Sequence, residues 1–320
     1  MRTALFALAL AHVFEAPAIA QDYPARPITL IIPTAVGGGN DTLGRVVADR
    51  MSPILGQQIV AENHGGAGGT LATRQLAKSA PDGYTLGIAN SGTVGMGPSL
   101  YPNAGYDPRK DFAPIGLIAA SSVVLVVNPA VPAKSIQELI ELAKREPGKL
   151  TYGTGGAGSP SHLFAELFAS MAGIKLTHVP FRGLGPAMND LLGGHITMIF
   201  SAVSTAMGNI RAGTVRALAT TGETRSKDFP DLPTIAEAGL TGYAAEQRYG
   251  MLAPAGTPSL IVAKLNGALR QALESEAVKT QLANEGAVAV PGTPDDYVRD
   301  IDREETKWAK VIRESGALPK

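Results

Sequence analysis

Cysteine is absent from this 320-residue chain, charged residues make up only 18% of it and aromatic residues 5%. Without cysteine the fold has no disulfide bond and no thiolate ligand for a metal. The 28 basic and 28 acidic side chains balance and form no basic run, which argues against a nucleic-acid partner. The low aromatic content argues against a binding site in which aromatic side chains stack on a large ring-containing ligand. What the chain has in plenty is glycine (37) and proline (23), which is typical of a compact fold with many shaped turns.

The first twenty residues have the pattern of a secretion signal. Arg2 gives a positive start, residues 4–14 are mostly apolar, and Ala18-Ile19-Ala20 forms a small-x-small cleavage site before Gln21. The apolar stretch is too short to span a bilayer, and no later stretch reaches the roughly 18 apolar residues that a membrane helix needs. We therefore expect residues 1–20 to be removed near Ala20–Gln21 and the remaining chain to act in the bacterial periplasm.

Two glycine-rich turns each join a short apolar run to an amphipathic segment. The first follows residues 28–32 and reads Pro-Thr-Ala-Val-Gly-Gly-Gly-Asn-Asp over residues 33–41; the second follows residues 149–152 and covers residues 153–159. Such a turn leaves backbone N–H groups free at the positive end of a helix dipole, a geometry that holds anions without a basic side chain. Two of these turns on facing lobes would clamp a small carboxylate.

Strand and helix patterns alternate along the rest of the chain. Strands are predicted at residues 28–32, 58–62, 85–89, 123–128, 150–152, 176–179, 197–200, 217–220 and 250–253. Helices are predicted at 42–55, 69–79, 135–145, 161–172, 185–192, 205–212, 235–238, 258–273, 276–285 and 294–315. This alternation predicts an α/β fold of βαβ units, with mostly parallel sheets and helices on both faces.

The length after the signal favours two lobes, because a single core rarely grows much beyond about 250 residues. Proline-marked extended stretches at residues 123–129 and 249–254 are candidates for the places where the chain crosses between lobes. We therefore predict a first lobe of residues 21–123 and 248–320 around a second lobe of residues 124–247.

The second turn also fits G-x-G-x-x-G, the pattern of a dinucleotide-binding loop. That site needs an acidic residue about 20 positions further on, and residues 177–180 read Thr-His-Val-Pro. The dinucleotide interpretation is therefore disfavoured. A glycine turn needed only for tight packing of strand against helix stays open as the plainer alternative.

Several polar side chains stand at strand ends, where open α/β sheets bind ligands. Ser91 follows one predicted strand, and Ser201, Ser204 and Thr205 follow another, although helix capping explains hydroxyls there equally well. His162 lies one turn into a helix and either bonds a ligand or caps the turn. Phe181 and Arg182 follow a further strand, where Phe181 could pack on a ligand; an arginine at a strand end is more often solvated.

The chain lacks the residue sets of the common catalytic and metal sites. It has no H-x-x-x-H, no acidic cluster at metal spacing, no G-x-S-x-G, and no base and orienting pair for Ser159. We accordingly expect no metal, no cofactor and no enzymatic activity. A periplasmic hydrolase or lyase stays open as the less favoured alternative.

At this point the sequence resembles the Bug (TctC-like) family, the periplasmic solute-binding proteins of tripartite tricarboxylate transport systems. The resemblance extends over essentially the whole chain after the signal and rests on motifs that occur in order, at residues 33–41, 62–69, 81–86, 106–112, 155–163, 179–183, 191–194, 233–239 and 253–258. It implies a type II periplasmic binding fold of two lobes with a cleft between them. It also implies an organic carboxylate ligand, held largely by backbone amides, small hydroxyls and bridging water.

Two departures from the family pattern concern the ligand. The family's first loop usually reads Pro-Phe-Pro-Pro-Gly-Gly, whereas here Pro33 is followed by Thr34, which offers a hydroxyl. Where many members carry Trp, this chain has Gln247-Arg248-Tyr249, and Arg248 either binds a second carboxylate or lies in solvent. The predicted ligand-binding residues are Thr34, Ala35, Val36, Gly37, Gly38, Asn40, Asp41, Ser91, Gly155, Gly156, Gly158, Ser159, His162, Phe181, Arg182, Ser201, Ser204 and Arg248.

The resemblance makes the membrane subunits of a tripartite tricarboxylate transporter the expected partner of a monomeric binding protein. In this interpretation a carboxylate docks on the first loop and the second lobe closes over it. A sensory module that presents ligand to a membrane receptor is the main alternative, because both roles use the same closed surface. The sequence leaves open whether the ligand is a dicarboxylate, a tricarboxylate, an aromatic acid or an amino acid.

Overall fold

The structure is a computed structural model that describes residues 23–34, 36 and 39–318. The predicted signal, residues 1–20, lies outside the described residues, as do the predicted ligand contacts Ala35, Gly37 and Gly38. The side chain of Ser204 is not described either. Within the described part of the chain, no helix is both long enough and apolar enough to cross a membrane.

Strands and helices alternate along most of the described chain. The strands are β1 (Ile28–Ile32), β2 (Ile59–Asn63), β3 (Thr85–Asn90), β4 (Phe112–Val127), β5 (Thr151–Thr154), β6 (Thr177–Pro180), β7 (Met198–Ala202), β8 (Arg216–Thr220), β9 (Glu246–Pro254) and β10 (Ala287–Ala289). The helices are α1 (Gly39–Leu55), α2 (Thr70–Ala77), α3 (Gly97–Leu100), α4 (Ile136–Arg145), α5 (Pro160–Ala172), α6 (Leu184–Leu192), α7 (Val203–Arg211), α8 (Ser259–Leu273), α9 (Glu276–Asn284) and α10 (Pro294–Ser315). A π-helical turn, Ser91–Met96, leads into α3.

One curled sheet runs through the molecule in the order β2-β1-β3-β9-β4-β7-β5-β6, with β8 and β10 paired to β4. The strands of the predicted βαβ units pair in parallel, β1 with β2 and β3, and β5 with β6 and β7. The pairs that β4 and β9 form are antiparallel, so the α/β sheet as a whole is mixed. The sequence pattern did not reveal the antiparallel pairs, because alternation of strands with helices indicates only the parallel units.

Strand β4 connects the two groups of parallel strands. Its residues Phe112 to Ser122 pair with β9, and from Val123 onwards it pairs with β7 and β8. Strand β9 begins at Glu246, opposite Ser122, so the two antiparallel strands cross the middle of the molecule together. The predicted division into lobes falls beside these partner changes and stays a prediction.

Two large apolar clusters flank the sheet. One packs α1, α8 and α9 on β1, β3, β4 and β9, and Leu30, Met51 and Leu265 in it are fully buried. The other packs α4, α5 and the end of α10 on β4, β5 and β7, and it includes Met96 and Leu100 from the segment after β3. Helix α10 therefore contacts elements of both strand groups.

Four segments differ from the predicted elements. Strand β4 starts eleven residues before the predicted 123–128, because Pro114 and Gly116 obscure a strand that accommodates them with register shifts. The glycine-rich 91–100 segment is helical, capped by Asn90. The predicted helix at 235–238 is a single hydrogen-bonded turn from Thr234 O to Ala238 N. Strand β10 was not predicted, since three residues carry no periodicity.

Gly250 offers a test of how closely α10 approaches the sheet. A Cβ atom at this position in β9 would lie 2.2 Å from Cζ of the buried Tyr297 ring. We expect Gly250→Ala to lower the free energy of unfolding by about 1–3 kcal/mol, because the core cannot admit the methyl group without displacing the ring. Chemical denaturation measures the change.

Gly267→Ala is the matched control, since nothing lies within 4 Å of a Cβ at this α8 position. Alanine favours helix over glycine by about 0.8–1.0 kcal/mol, so we expect this variant to be stabilised. If both variants kept wild-type stability, the close packing of Tyr297 on β9 would be contradicted.

Candidate functional site

The first loop leaves the carboxyl end of β1 and enters α1. Asn40 is 8% exposed, and its Oδ1 accepts a hydrogen bond of 3.1 Å from Asn90 Nδ2 at the end of β3. Asp41 Oδ1 accepts from Asn63 Nδ2 and pairs with Arg45 Nε, each at 2.8 Å. The Arg45 guanidinium offsets the charge of this buried carboxylate, so Asp41 anchors the loop and its negative charge is balanced within the protein.

Thr34 combines a bonded backbone with an unbonded side chain. Its carbonyl oxygen accepts from Asn63 Nδ2 at 3.1 Å. Its Oγ1 is buried and has no hydrogen-bond partner among the residues that the structure describes. A buried hydroxyl without a partner costs about 1–3 kcal/mol, and this one can form a further hydrogen bond. Val36, two residues on, is 75% exposed.

The end of β3 is fastened to β9. Asn90 caps the following π-helical turn, with its side chain accepting from Thr93 N and Thr93 Oγ1 accepting from Asn90 N. Ser91 is 2% exposed; its Oγ accepts from Arg248 N at 2.8 Å and donates to Glu246 O at 3.2 Å. Both bonds of Ser91 thus serve the junction of β3 with β9.

The second turn differs from the expected cradle of free amides. Gly155 N donates to Ser161 Oγ, Gly156 N to Thr154 Oγ1, Gly158 N to His162 Nδ1, and Ser159 N to Gly156 O, at 3.0–3.2 Å. The expectation that these amides are free is therefore wrong for this structure. Hydroxyl and imidazole groups on either side of the turn reach back to them, and Ser159 itself caps α5.

His162 caps this turn and belongs to a group of titratable side chains. Its ring stacks on His178 with centroids 3.9 Å apart, and the Tyr152 ring lies beside both, with its centroid 5.1 Å from that of His178 and 6.1 Å from that of His162. The Tyr152 hydroxyl donates to Glu166 Oε1. Burial lowers the pKa of His178 to about 4, helped by the neighbouring His162. Burial raises the pKa of Glu166, but hydrogen bonds from His162 and Tyr152 outweigh it and hold that pKa below its usual value.

The ends of β6 and β7, near the second turn, carry further predicted ligand contacts. Phe181 is half-buried and its N donates to Thr154 O at 3.1 Å, which places β6 directly against the turn. Arg182 is exposed, in line with the solvated alternative. Ser201 is fully buried at the end of β7, and its Oγ makes a 3.3 Å contact with Ala202 O.

Arg248 lies inside an ionic cluster and not in solvent. Its NH2 lies 3.2 Å from Glu223 Oε1 and 3.0 Å from Glu246 Oε2, and its NH1 lies 3.1 Å from Asp300 Oδ1. The side chain is only 12% exposed, so the solvated alternative is wrong. A ligand could reach this guanidinium only by displacing these carboxylates.

The structure adds polar residues that the sequence patterns did not single out. Asn63 and Arg45 brace the first loop, and Thr154 and His178 brace the second turn. Thr154 lies inside the G-x-G-x-x-G motif and Asn63 inside the motif at residues 62–69, but neither had been predicted as a site residue. No group of three or more His, Cys, Asp or Glu side chains in the described part of the chain is placed to hold a metal ion.

Comparison with known proteins extends this description. The family model described as tripartite tricarboxylate transporter family receptor matches residues 43–317. Protein BugT of Bordetella pertussis (strain Tohama I) is 39% identical over 303 residues, which cover 94% of this chain and 93% of BugT.

Two solved structures with bound ligands superpose on the chain. The Rpa4515 protein of R. palustris with adipate is 36% identical with a TM-score of 0.77, and the match covers 93% of this chain and 100% of that one. MatC (Rpa3494) from Rhodopseudomonas palustris with bound malate is 35% identical with a TM-score of 0.73, covering 91% and 100%.

Proposed function

Because the chain belongs to the tripartite tricarboxylate transporter receptor family, we propose that it binds a small dicarboxylate outside the cytoplasm and delivers it to the membrane subunits of such a transporter. Its fold is the α/β fold of the periplasmic binding proteins, as the resemblance implied. The dicarboxylate class is supported by the adipate and malate that two relatives carry. Export through the N-terminal signal follows from the same proposal.

The convergence of four strand ends is the observation that carries this proposal. The carboxyl ends of β1, β3, β5 and β7 lead into the first loop, Ser91, the second turn and Ser201, beside the crossing strands β4 and β9. Ligands of open α/β sheets bind at such carboxyl ends. We place the cleft here, between a lobe of residues 21–123 and 248–320 and a lobe of residues 124–247.

The proposed contacts divide into direct ones and supporting ones. On the first lobe, we assign ligand contacts to Thr34, Val36 and Asn40, while Asp41 holds the loop through Arg45 and Asn63. The predicted contacts Ala35, Gly37 and Gly38 lie outside the described residues. On the second lobe, Gly155 to Ser159, Phe181 and the hydroxyls after β7 close over it. Ser91 and Arg248 support the cleft walls, since both already have protein partners. We assign the exposed Arg182 to the wall as well.

The size of the required affinity shows why closure matters. Micromolar binding needs about −8 kcal/mol. Each helix N-terminus gives an anion about 0.3–1 kcal/mol when exposed and up to about 2 kcal/mol when partly buried. Several charge-assisted hydrogen bonds, each about 1.5–3 kcal/mol, must supply the remainder once closure removes water. In the second turn they replace bonds that the amides now make within the protein.

Thermal shift against a panel of di-, tri- and monocarboxylates tests the proposal, because a bound ligand raises stability by mass action. We expect dicarboxylates to raise the melting temperature and calorimetry to give micromolar affinity. Mass spectrometry after incubation should recover the ligand unchanged, whereas a hydrolase or lyase would convert it. A panel without any shift would contradict the proposal.

Thr34→Val provides a sharper test of the first loop. Valine keeps the shape of threonine and removes the hydroxyl that lacks a partner in the described structure. We expect the unliganded variant to be as stable as the wild type or more stable, and its affinity for the dicarboxylate to fall about three- to tenfold. Calorimetry and denaturation separate the two effects.

Thr214→Val is the control for the substitution itself. Thr214 precedes β8, at the end opposite the carboxyl end of that strand, and its Oγ1 donates to Asn209 O at 3.1 Å. We expect unchanged affinity in this variant. If Thr34→Val bound the dicarboxylate as tightly as the wild type, the Thr34 hydroxyl would not be a ligand contact.

A further inference from the structure

Two imidazoles lie face to face behind the second turn. His162 of α5 and His178 of β6 stack with centroids 3.9 Å apart and an interplanar angle of 11°. They border a cavity of ≈ 650 Å³ between Ala157 of the turn and residues 315–318 at the end of α10. Fifteen residues separate the two histidines in the sequence, so no spacing motif reveals the pair.

Each imidazole holds a different end of the turn. His178 Nε2 lies 2.7 Å from Thr154 Oγ1, and this hydroxyl oxygen accepts from Gly156 N at 3.2 Å. His162 Nδ1 accepts from Gly158 N at 3.0 Å. The stacked pair therefore determines where two of the amides at the proposed anion seat point.

The contact with Gly158 fixes the position of a proton. Because Nδ1 of His162 accepts a hydrogen bond, it carries no proton in this conformation, and the proton of the neutral ring is on Nε2. That nitrogen lies 3.6 Å from Glu166 Oε1. A second proton on His162 would occupy Nδ1 and break the bond to Gly158.

We propose that the His162–His178 pair positions the second turn and withholds the Gly158 amide until a carboxylate takes it. This inference rests on the proposed function. In the unliganded protein His162 Nδ1 occupies the amide, and His178 fixes the start of the turn through Thr154. On binding, the ligand oxygen replaces Nδ1 as the acceptor of the Gly158 N–H.

The surroundings determine how protonation acts on this exchange. The titratable groups that face the pair are Tyr152 of β5 and Glu166 of α5, and the described tail residues 315–318 carry no charged side chain. An imidazolium at His162 would release Gly158 and would place a positive charge beneath the turn. Affinity for a carboxylate should therefore rise as His162 gains its second proton.

The first experiment needs no ligand. In 15N-labelled protein, the Gly158 amide resonance should change with pH in step with the His162 ring resonances. In His162→Asn, whose Oδ1 can accept from Gly158 at every pH, the resonance should stay constant. If the chemical shift of the Gly158 amide did not follow that of the His162 ring, the proposal would be overturned, whether or not any dicarboxylate binds.

The second experiment measures affinity for malate and adipate by calorimetry at one pH below and one pH above the His162 transition that the NMR titration records. We expect the wild type to bind about two- to tenfold more tightly below that transition, and His162→Asn to bind equally at both pH values. His178→Phe, which keeps the stacked ring and loses the bond to Thr154, should bind about three- to tenfold more weakly.

His178→Gln, which can still bond Thr154, should recover most of the affinity. The exposed His195→Gln is the control for losing a histidine and should match the wild type. Wild-type affinity in His178→Phe would overturn the positioning role. If neither probe binds the wild type, the proposed ligand class fails, and the Gly158 titration alone decides the role of the pair.

Discussion

Replacing Arg248 with methionine is expected to lower the free energy of unfolding by about 3–5 kcal/mol, because removal of one partner leaves buried charges uncompensated. The carboxylates of Glu246 and Asp300 are only 13% and 6% exposed. Asp300 keeps Arg303, whose NH2 lies 2.6 Å away, but Glu246 has no other ion pair among the described residues. Methionine retains the packing of the arginine stem, so the loss reports on charge.

The same variant has an expected pH dependence. Burial raises the pKa of Glu246 and of Asp300, and Arg248 opposes this rise in both. Without Arg248 both pKa values rise further. A carboxyl group whose pKa is higher in the folded state contributes stability that is lost as the pH rises through that value. The deficit of Arg248→Met should therefore be smaller at pH 5 than at pH 7.5.

Chemical denaturation at the two pH values measures both effects. Arg299→Met is the matched control, because its guanidinium, 69% exposed, pairs with Asp296 on the surface of α10. Surface pairs contribute about 0–1 kcal/mol. Arg248→Met with Glu246→Gln should recover part of the loss. If Arg248→Met alone were as stable as Arg299→Met, Arg248 would not be buried among these carboxylates.

Replacing Trp308 with alanine is the second change with a large expected effect. Its side chain is fully buried, and its ring stacks on Phe164 of α5 with centroids 5.5 Å apart. Deletion of a buried tryptophan side chain costs about 3–5 kcal/mol through lost burial and the cavity that remains. Glu304, 3% exposed, also loses the Nε1–H donor at 2.8 Å.

Trp308→Phe divides this loss into its parts. Phenylalanine keeps a ring against Phe164 but cannot donate to Glu304, which retains Lys307 Nζ at 2.6 Å. We expect this variant to lose about 1–3 kcal/mol, the cost of a lost hydrogen bond to a buried charged group. Leu260→Ala, at a position 84% exposed, should change stability by less than about 0.5 kcal/mol. Equal stability of all three variants would contradict the packing of α10 on α5.

Local patterns predicted most of the elements, because they rest on interactions between near neighbours. Thr293 and Pro294 mark the start of α10, and the structure shows the capping box in which Thr293 accepts from Asp296 N. Strand β1 matches its apolar run residue for residue. By contrast, Gly95 made its segment resemble a loop; a Cβ there would lie 3.2 Å from Glu304 and Trp308, so the glycine allows α10 to approach.

The site was less predictable, because its bonds join residues far apart in the chain. The glycine turns and their hydroxyls were recognisable, but the state of their amides was not. Whether Gly158 N is free depends on where His162 points, and the part played by His178 depends on a strand 24 residues after Thr154. Arg248 is similar, since it meets Glu223 and Asp300 only in the folded chain.

The placement of α10 has a consequence for how the two strand groups can move. Tyr297 and Ile301 in its first half pack in one cluster with Val94 from the segment after β3, and Trp308 in its second half stacks on Phe164 of α5. The helix is thus a third connection between the strand groups, besides β4 and β9. We therefore expect any motion between them to be a limited one that keeps Trp308 against Phe164.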